Sequence, residues 1–316
     1  MTSANKETYT KKPKSFKEQV ELLKQRGLIF KDEQRAIKIL TYVSYNRLSN
    51  YWFPMLKEPK ADELFKTGSK FIDVFRLYQF DSELRTLTFN AIEQLEVAIR
   101  TQLIYHLSIK NNSGFWYLDK EHFNTIPNYS STLNKLIKNY GDSKQDYLIK
   151  YKTKYTNSMP PAWKMFEVAT FRTISTILKN LKEQKQIIPI GKSFGVHHSV
   201  LTSWVECLVY VRNVCAHHQR LWNIVLTLSP VWMKNPQNNW VSRWENDNQV
   251  NITNDKKLKL YAALCMIAYM LKFANPYNTF KDNLFSLINT PKFKSTIHLA
   301  AMGFPENWKE EDLWSE

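Results

Sequence analysis

Apolar residues recur at three- and four-residue steps along most of the chain, the period of a helix with one face turned to a core. Residues 71–109 contain neither glycine nor proline, and Leu84, Leu87, Ala91, Leu95 and Ala98 keep that step. One long helix is predicted there, or two in tandem. Ser15 is followed by Glu18, a capping-box pair in which each side chain satisfies a backbone N–H that the first helical turn leaves open. A helix from Phe16 to about Arg26 follows, ended by Gly27, and a second begins after Asp32 and runs through Leu40. Residues 45–54 form an aromatic-rich segment closed by proline, and 57–69 read as a loop. Residues 116–161 read as irregular, with one or two short helices. Helices are predicted over 162–185 and 199–226 with a turn at 190–195 between them, then over 256–274 and 279–288. Residues 230–254, rich in Trp, Asn and Pro, read as an ordered loop.

Only seven glycines occur in 316 residues, too few for sheets that must turn every few residues. The expected fold class is all-α. Residues 1–14 are expected to be a disordered basic tail and 15–316 a single helical domain. Within it, 15–69 form an N-terminal helical extension, 70–290 the core with long irregular insertions, and 291–316 a C-terminal tail.

Charge narrows the partners. Lys and Arg number 44 against 29 Asp and Glu, a formal +15, so a polyanion is the natural ligand. Aromatic residues make up 14%; most belong to the core, and those lining a basic groove can stack on bases. Cys207, Cys215 and Cys265 form no CxxC pair, which fits a reducing compartment without disulfides. The first fifteen residues lack an apolar signal-peptide stretch. The apolar run 258–273 is bounded or interrupted by Lys257, Lys259 and Lys272 and is too short for a bilayer. A cytoplasmic protein with no membrane contact is expected. No P-loop, dinucleotide fingerprint or GxSxG elbow occurs, which leaves nucleotide hydrolysis and serine chemistry without support.

The predicted helix 199–226 carries the candidate chemistry. Trp204, Leu208, Val211, Cys215 and Trp222 make a core-facing stripe. Glu206, Tyr210, Asn213, His217 and Arg220 make a second one in which every side chain can hydrogen-bond, with Arg212 at its edge. Cleaving RNA without a metal requires a group that takes a proton from the 2'-hydroxyl or gives one to the leaving 5'-oxygen, and an imidazole does either near neutral pH. It also requires donors for the charged transition state, which a guanidinium supplies as a fork that fits phosphate. Arg212 and His217 meet the two requirements, and Asn213 can fix the ring or hold a phosphate oxygen. The competing reading is a polar network that ties helices together. Cys215, His217 and His218 lack the i, i+4 ligand spacing of a helical metal site, and neither metal nor cofactor is expected. His197 and His198 read as surface polarity near a helix start.

Residues 211–223, VRNVCAHHQRLWN, resemble the RNxxAHHxRLWN signature of the AbiD/AbiF abortive-infection proteins, a branch of the HEPN superfamily of helical ribonucleases. Residues 45–54, 71–87, 92–108, 160–168 and 302–308 resemble further blocks of that family in the same order. The resemblance implies a HEPN-like helical bundle with an Arg212/His217 catalytic pair, Asn213 as its polar neighbour, and metal-independent endoribonuclease action leaving a 2',3'-cyclic phosphate. It also implies two such motifs face to face, across a homodimer or within one chain, and Arg100 with His106 is the candidate second motif. The other reading of that pair is an Arg100–Glu96 ion pair with His106 partly buried. Arg172, after Phe171, stands where the resemblance leads one to expect glycine. The implied partner is RNA, as substrate or as a small noncoding RNA that neutralises a toxin of anti-phage defence. Lys11, Lys12, Lys14, Tyr210, His218 and Arg220 are the expected RNA contacts. A non-catalytic RNA-binding protein and a phage-sensing interaction scaffold are the alternatives.

Overall fold

The structure is a computed structural model that describes residues 8, 10, 12–233, 236–241 and 258–315. It is all-α: about 65% of it is helical, and among the described residues there is no sheet. Lys11 and most of the predicted basic tail and of the 230–254 loop lie outside the described residues. The chain divides into two compact units, Met1–Ser82 with Ile288–Ile297, and Glu83–Leu287 with His298–Glu316.

In the first unit, α1 (Phe16–Gln25) begins with the predicted capping box: Ser15 Oγ accepts the Glu18 N–H, and the Ser15 N–H donates to Glu18 Oε2 at 2.7 Å. Asp32 caps α2 (Glu33–Tyr42) by accepting the Arg35 N–H. Helix α3 (Tyr45–Trp52) buries Leu48, Tyr51 and Trp52, while Phe53 beyond it is half exposed. Tyr51 donates its hydroxyl to buried Asp81 at 2.6 Å, and Phe80 packs edge-on against Phe293.

Helix α4 (Phe71–Lys110) is one unbroken helix; its residues to Ser82 belong to the first unit and the rest to the second. In the second unit Leu84, Ala91, Leu95, Ile99, Leu103 and Leu107 of α4 are buried. The predicted irregular stretch holds a longer helix than expected, α5 (Ile126–Asp142), followed by α6 (Asp146–Lys154). Pro127 sits in the first turn of α5, where its missing N–H costs nothing.

The single helix predicted over 162–185 is instead three: α7 (Ala162–Met165), α8 (Phe171–Asn180) and α9 (Gln184–Lys192). Side-chain caps at Thr170, which accepts the Thr173 N–H, and at Glu183 with Gln186 restart the chain each time. The turn after α9 is correspondingly shorter than predicted. Helix α10 (His198–Ala216) follows, and α11 (Leu260–Ala274) is buried from Leu260 to Leu271. Helix α12 (Phe280–Ile288) starts one residue from the prediction. No helix among the described residues is long and apolar enough to cross a membrane.

Candidate active site at the end of α10

His197 caps α10 by accepting the Ser199 N–H, so the tandem histidine is indeed a helix start. Trp204, Leu208, Val211 and Cys215 are buried, as the apolar stripe requires. The helix does not continue to Leu226 but ends at Ala216. His218 takes a left-handed conformation, φ +53°, and the chain closes on itself. The His218 N–H donates to Cys215 O at 3.1 Å and the Gln219 N–H to Val214 O at 2.9 Å. This is a Schellman cap, usually built with glycine at the left-handed position. A residue with a Cβ pays about 1–2 kcal/mol for that conformation, and strain of this kind gathers at functional sites. Arg220, expected on the polar helical face, therefore lies beyond the helix. Buried Arg85 of α4 pins the turn by donating to Gln219 O at 3.2 Å, and buried Leu221 and Trp222 anchor the chain just after it.

The motif spans the last turn of α10 and this cap. The His217 N–H donates to Asn213 O at 2.9 Å, one turn back, and the His217 side chain is exposed. Arg212 donates a long hydrogen bond, 3.5 Å, to Asn213 Oδ1. Its guanidinium lies 5.6 Å from the Phe89 ring centre, and its Nε is 3.8 Å from Glu96 Oε2. About a third of the side chain, 36%, is still open to solvent. Glu96, only 14% exposed, also accepts from Arg100 Nη2 at 2.9 Å. Burial pushes the Glu96 carboxyl up despite the two arginines, which pull the other way.

The arginines of both predicted motifs thus share one carboxylate, but their histidines part. Arg100 is 11% exposed and turns to Glu96, Glu167 and Ala169 O. His106 Nε2 lies 3.3 Å from Ser193 Oγ, which donates to Gln102 Oε1, and burial lowers its pKa. Among the described residues no hydrogen bond or ion pair joins His106 to Arg212, Asn213 or His217. Tyr210 and Arg220 are half-buried, and His218, Lys12 and Lys14 are exposed. No three His, Cys, Asp or Glu side chains among the described residues come together as a metal site. Glu96 was readable from the sequence only as the i, i+4 partner of Arg100; its grip on Arg212, and those of Phe89 and Arg85 on the site, come from the packing of α4 against α10.

The sequence profile described as Abi-like protein matches residues 38–223, more than half of the chain, and takes in the whole motif up to its last residue. No curated protein and no solved structure matches the chain.

Proposed function

The chain belongs to the Abi-like protein family, a family of abortive-infection defence, and from that premise we propose that it is a metal-independent endoribonuclease of HEPN type. The observation that carries the reading is the end of α10. A guanidinium held by Glu96 and Phe89 yet a third open to solvent stands beside Asn213, and an exposed imidazole follows on a pinned turn.

In the reaction the 2'-oxygen attacks the adjacent phosphorus while the bond to the 5'-oxygen breaks. The products are a 2',3'-cyclic phosphate and a 5'-hydroxyl. Neutral His217 takes the 2'-hydroxyl proton, or protonated His217 gives one to the leaving oxygen. Arg212 places its fork on the non-bridging oxygens, where charge grows in the transition state. Asn213 orients the His217 ring or holds a phosphate oxygen. One imidazole completes half of the proton traffic, and the same motif of a second copy in a homodimer supplies the other half; the tie of His106 to Ser193 favours this over Arg100 and His106. The charge of +15 draws RNA by counterion release, and a small noncoding RNA covering the turn, with contacts from Tyr210, His218, Arg220 and the basic arm at Lys11, Lys12 and Lys14, neutralises the toxin.

The test compares purified wild type with His217→Ala and Arg212→Ala on mixed RNA, reading product ends. Fragments ending in 2',3'-cyclic phosphate from the wild type alone, with RNA binding kept in both variants, support the enzyme. Binding lost together with the motif, and no cutting by the wild type, supports the RNA-binding module. Unchanged cutting by His217→Ala refutes the assignment.

A further inference from the structure

We propose that the polar cleft bounded by α5, α8 and α10 seats one nucleobase of the RNA strand next to the cut, read by hydrogen bonds from Arg172 and Asn128. The inference rests on the reading of Arg212 and His217 as the cutting site. The cleft, open to solvent on one side, offers about 320 Å³, at the small end of ligand clefts, which run from about 300 to 1,000 Å³. Its lining has no aromatic ring and is dominated by amides, hydroxyls and two cations. Such a lining reads base edges rather than stacking on base faces.

Most of the wall is already committed to holding the cleft open. Asn180 joins the start of α5 through both ends of its amide, accepting the Thr125 N–H at 3.0 Å and donating to Thr125 O at 3.1 Å. Asn124 donates to Leu181 O at 2.9 Å. Lys179 is occupied by Glu206 of α10, at 2.9 and 3.0 Å. Arg172 and Asn128 differ: both are exposed, and neither side chain has a hydrogen bond or ion pair among the described residues. A cleft braced by these bonds, with an unengaged fork and an unengaged amide on its lining, suits a ligand that offers both acceptors and donors.

Its position ties the cleft to the candidate active site. Lys179 meets Glu206, and Ser175 and Thr176 line the cleft with Val209. Helices α8 and α10 therefore run antiparallel, and Arg172, two turns before Lys179, falls level with Asn213, two turns after Glu206. A second contact agrees. Ala169, just before α8, accepts from Arg100, whose carboxylate partner Glu96 also holds Arg212. Val209 precedes Arg212 and Asn213 by about one turn, roughly 5 Å along the axis. A nucleotide flanking a phosphate held at Arg212 thus reaches the cleft. A guanidinium fork pairs with the two acceptors on guanine, O6 and N7, which makes guanine the preferred base.

The test measures binding by full-length His217→Ala protein, so that the RNA stays whole. The probes are unstructured oligouridines carrying a single guanosine, adenosine or cytidine. Guanosine is expected to bind tightest. Arg172→Ala, Arg172→Lys and Asn128→Ala should each erase that preference by about ten-fold. Arg172→Lys should keep the affinity for plain oligouridine, because it keeps the charge and loses only the fork. Both positions are exposed, and circular dichroism checks the fold. An unaltered preference in the three variants, no preference in the parent, or no binding at all overturns the cleft. Cleavage by the wild-type protein is scored separately: a preference that Arg172→Ala erases, in a protein that cuts nothing, keeps the cleft and removes the nuclease reading. Cutting without base preference does the reverse.

Discussion

Replacing Arg212 by alanine separates catalysis from stability. The side chain makes three contacts: the 3.8 Å approach to Glu96, the Phe89 face at 5.6 Å, and the long bond to Asn213 Oδ1. A partly exposed ion pair at that distance is worth about 0.5 kcal/mol, and a cation over a ring at a partly exposed site about 0.5 kcal/mol more. The Asn213 bond is too long to add much. Removal leaves no buried charge alone, because Glu96 keeps Arg100 at 2.9 Å. The loss of stability is therefore about 1 kcal/mol, or about 2–4 °C in Tm for a unit of this size. The loss of phosphate stabilisation in the transition state is larger, about 10²–10³ in rate. Scanning fluorimetry and single-turnover cleavage of a labelled RNA measure the two effects on one preparation. A collapse of Tm by about 10 °C, or full cleavage activity in the variant, refutes the reasoning; the first makes Arg212 a strut and the second a bystander.

Glu96→Ala should be more damaging than Arg212→Ala, by about 2–3 kcal/mol in urea unfolding, since it leaves Arg100, with little exposure, only the longer contacts to Glu167 and Ala169 O and releases Arg212 as well; equal losses in the two variants would sink the shared-carboxylate picture. His218→Gly should raise Tm by about 1–4 °C, the relief of about 1–2 kcal/mol of left-handed strain less about 0.5–1 kcal/mol for glycine's extra freedom in the unfolded chain, while His218→Val should lower it, and equal Tm in the glycine and valine variants would show that the turn is not built as described. Burial lowers the pKa of His106, so the folded state favours the neutral ring. Its contribution to stability is whole above the ordinary value of 6.5 and is lost as pH falls from there through the lowered folded-state value. His106→Asn should flatten the acid-side slope of unfolding free energy, and an unchanged slope would count against the burial of the ring. Gly195→Ala should destabilise strongly, because an added Cβ would collide with the Phe273 ring at a position held at φ +62°; wild-type Tm in that variant would contradict the packing of α11 behind the turn.

The amino-acid sequence by itself determined what local physics controls. The capping box at Ser15 and Glu18, the unbroken α4, the apolar stripe of α10 and the all-α class are written in residue spacing, because capping and helical burial act over three or four residues. So is the motif of Arg212, Asn213 and His217. Only the tertiary structure decided where α10 stops, because no glycine marks the end and His218 takes the left-handed position under the hold of Arg85 from α4. The split of the predicted 162–185 helix into three was hidden for a similar reason: caps at Thr170 and Glu183 win over an unbroken apolar period. Above all, the carboxylate that holds both Arg100 and Arg212 joins residues far apart in the chain, and a charge pair of that kind exists only once two helices pack.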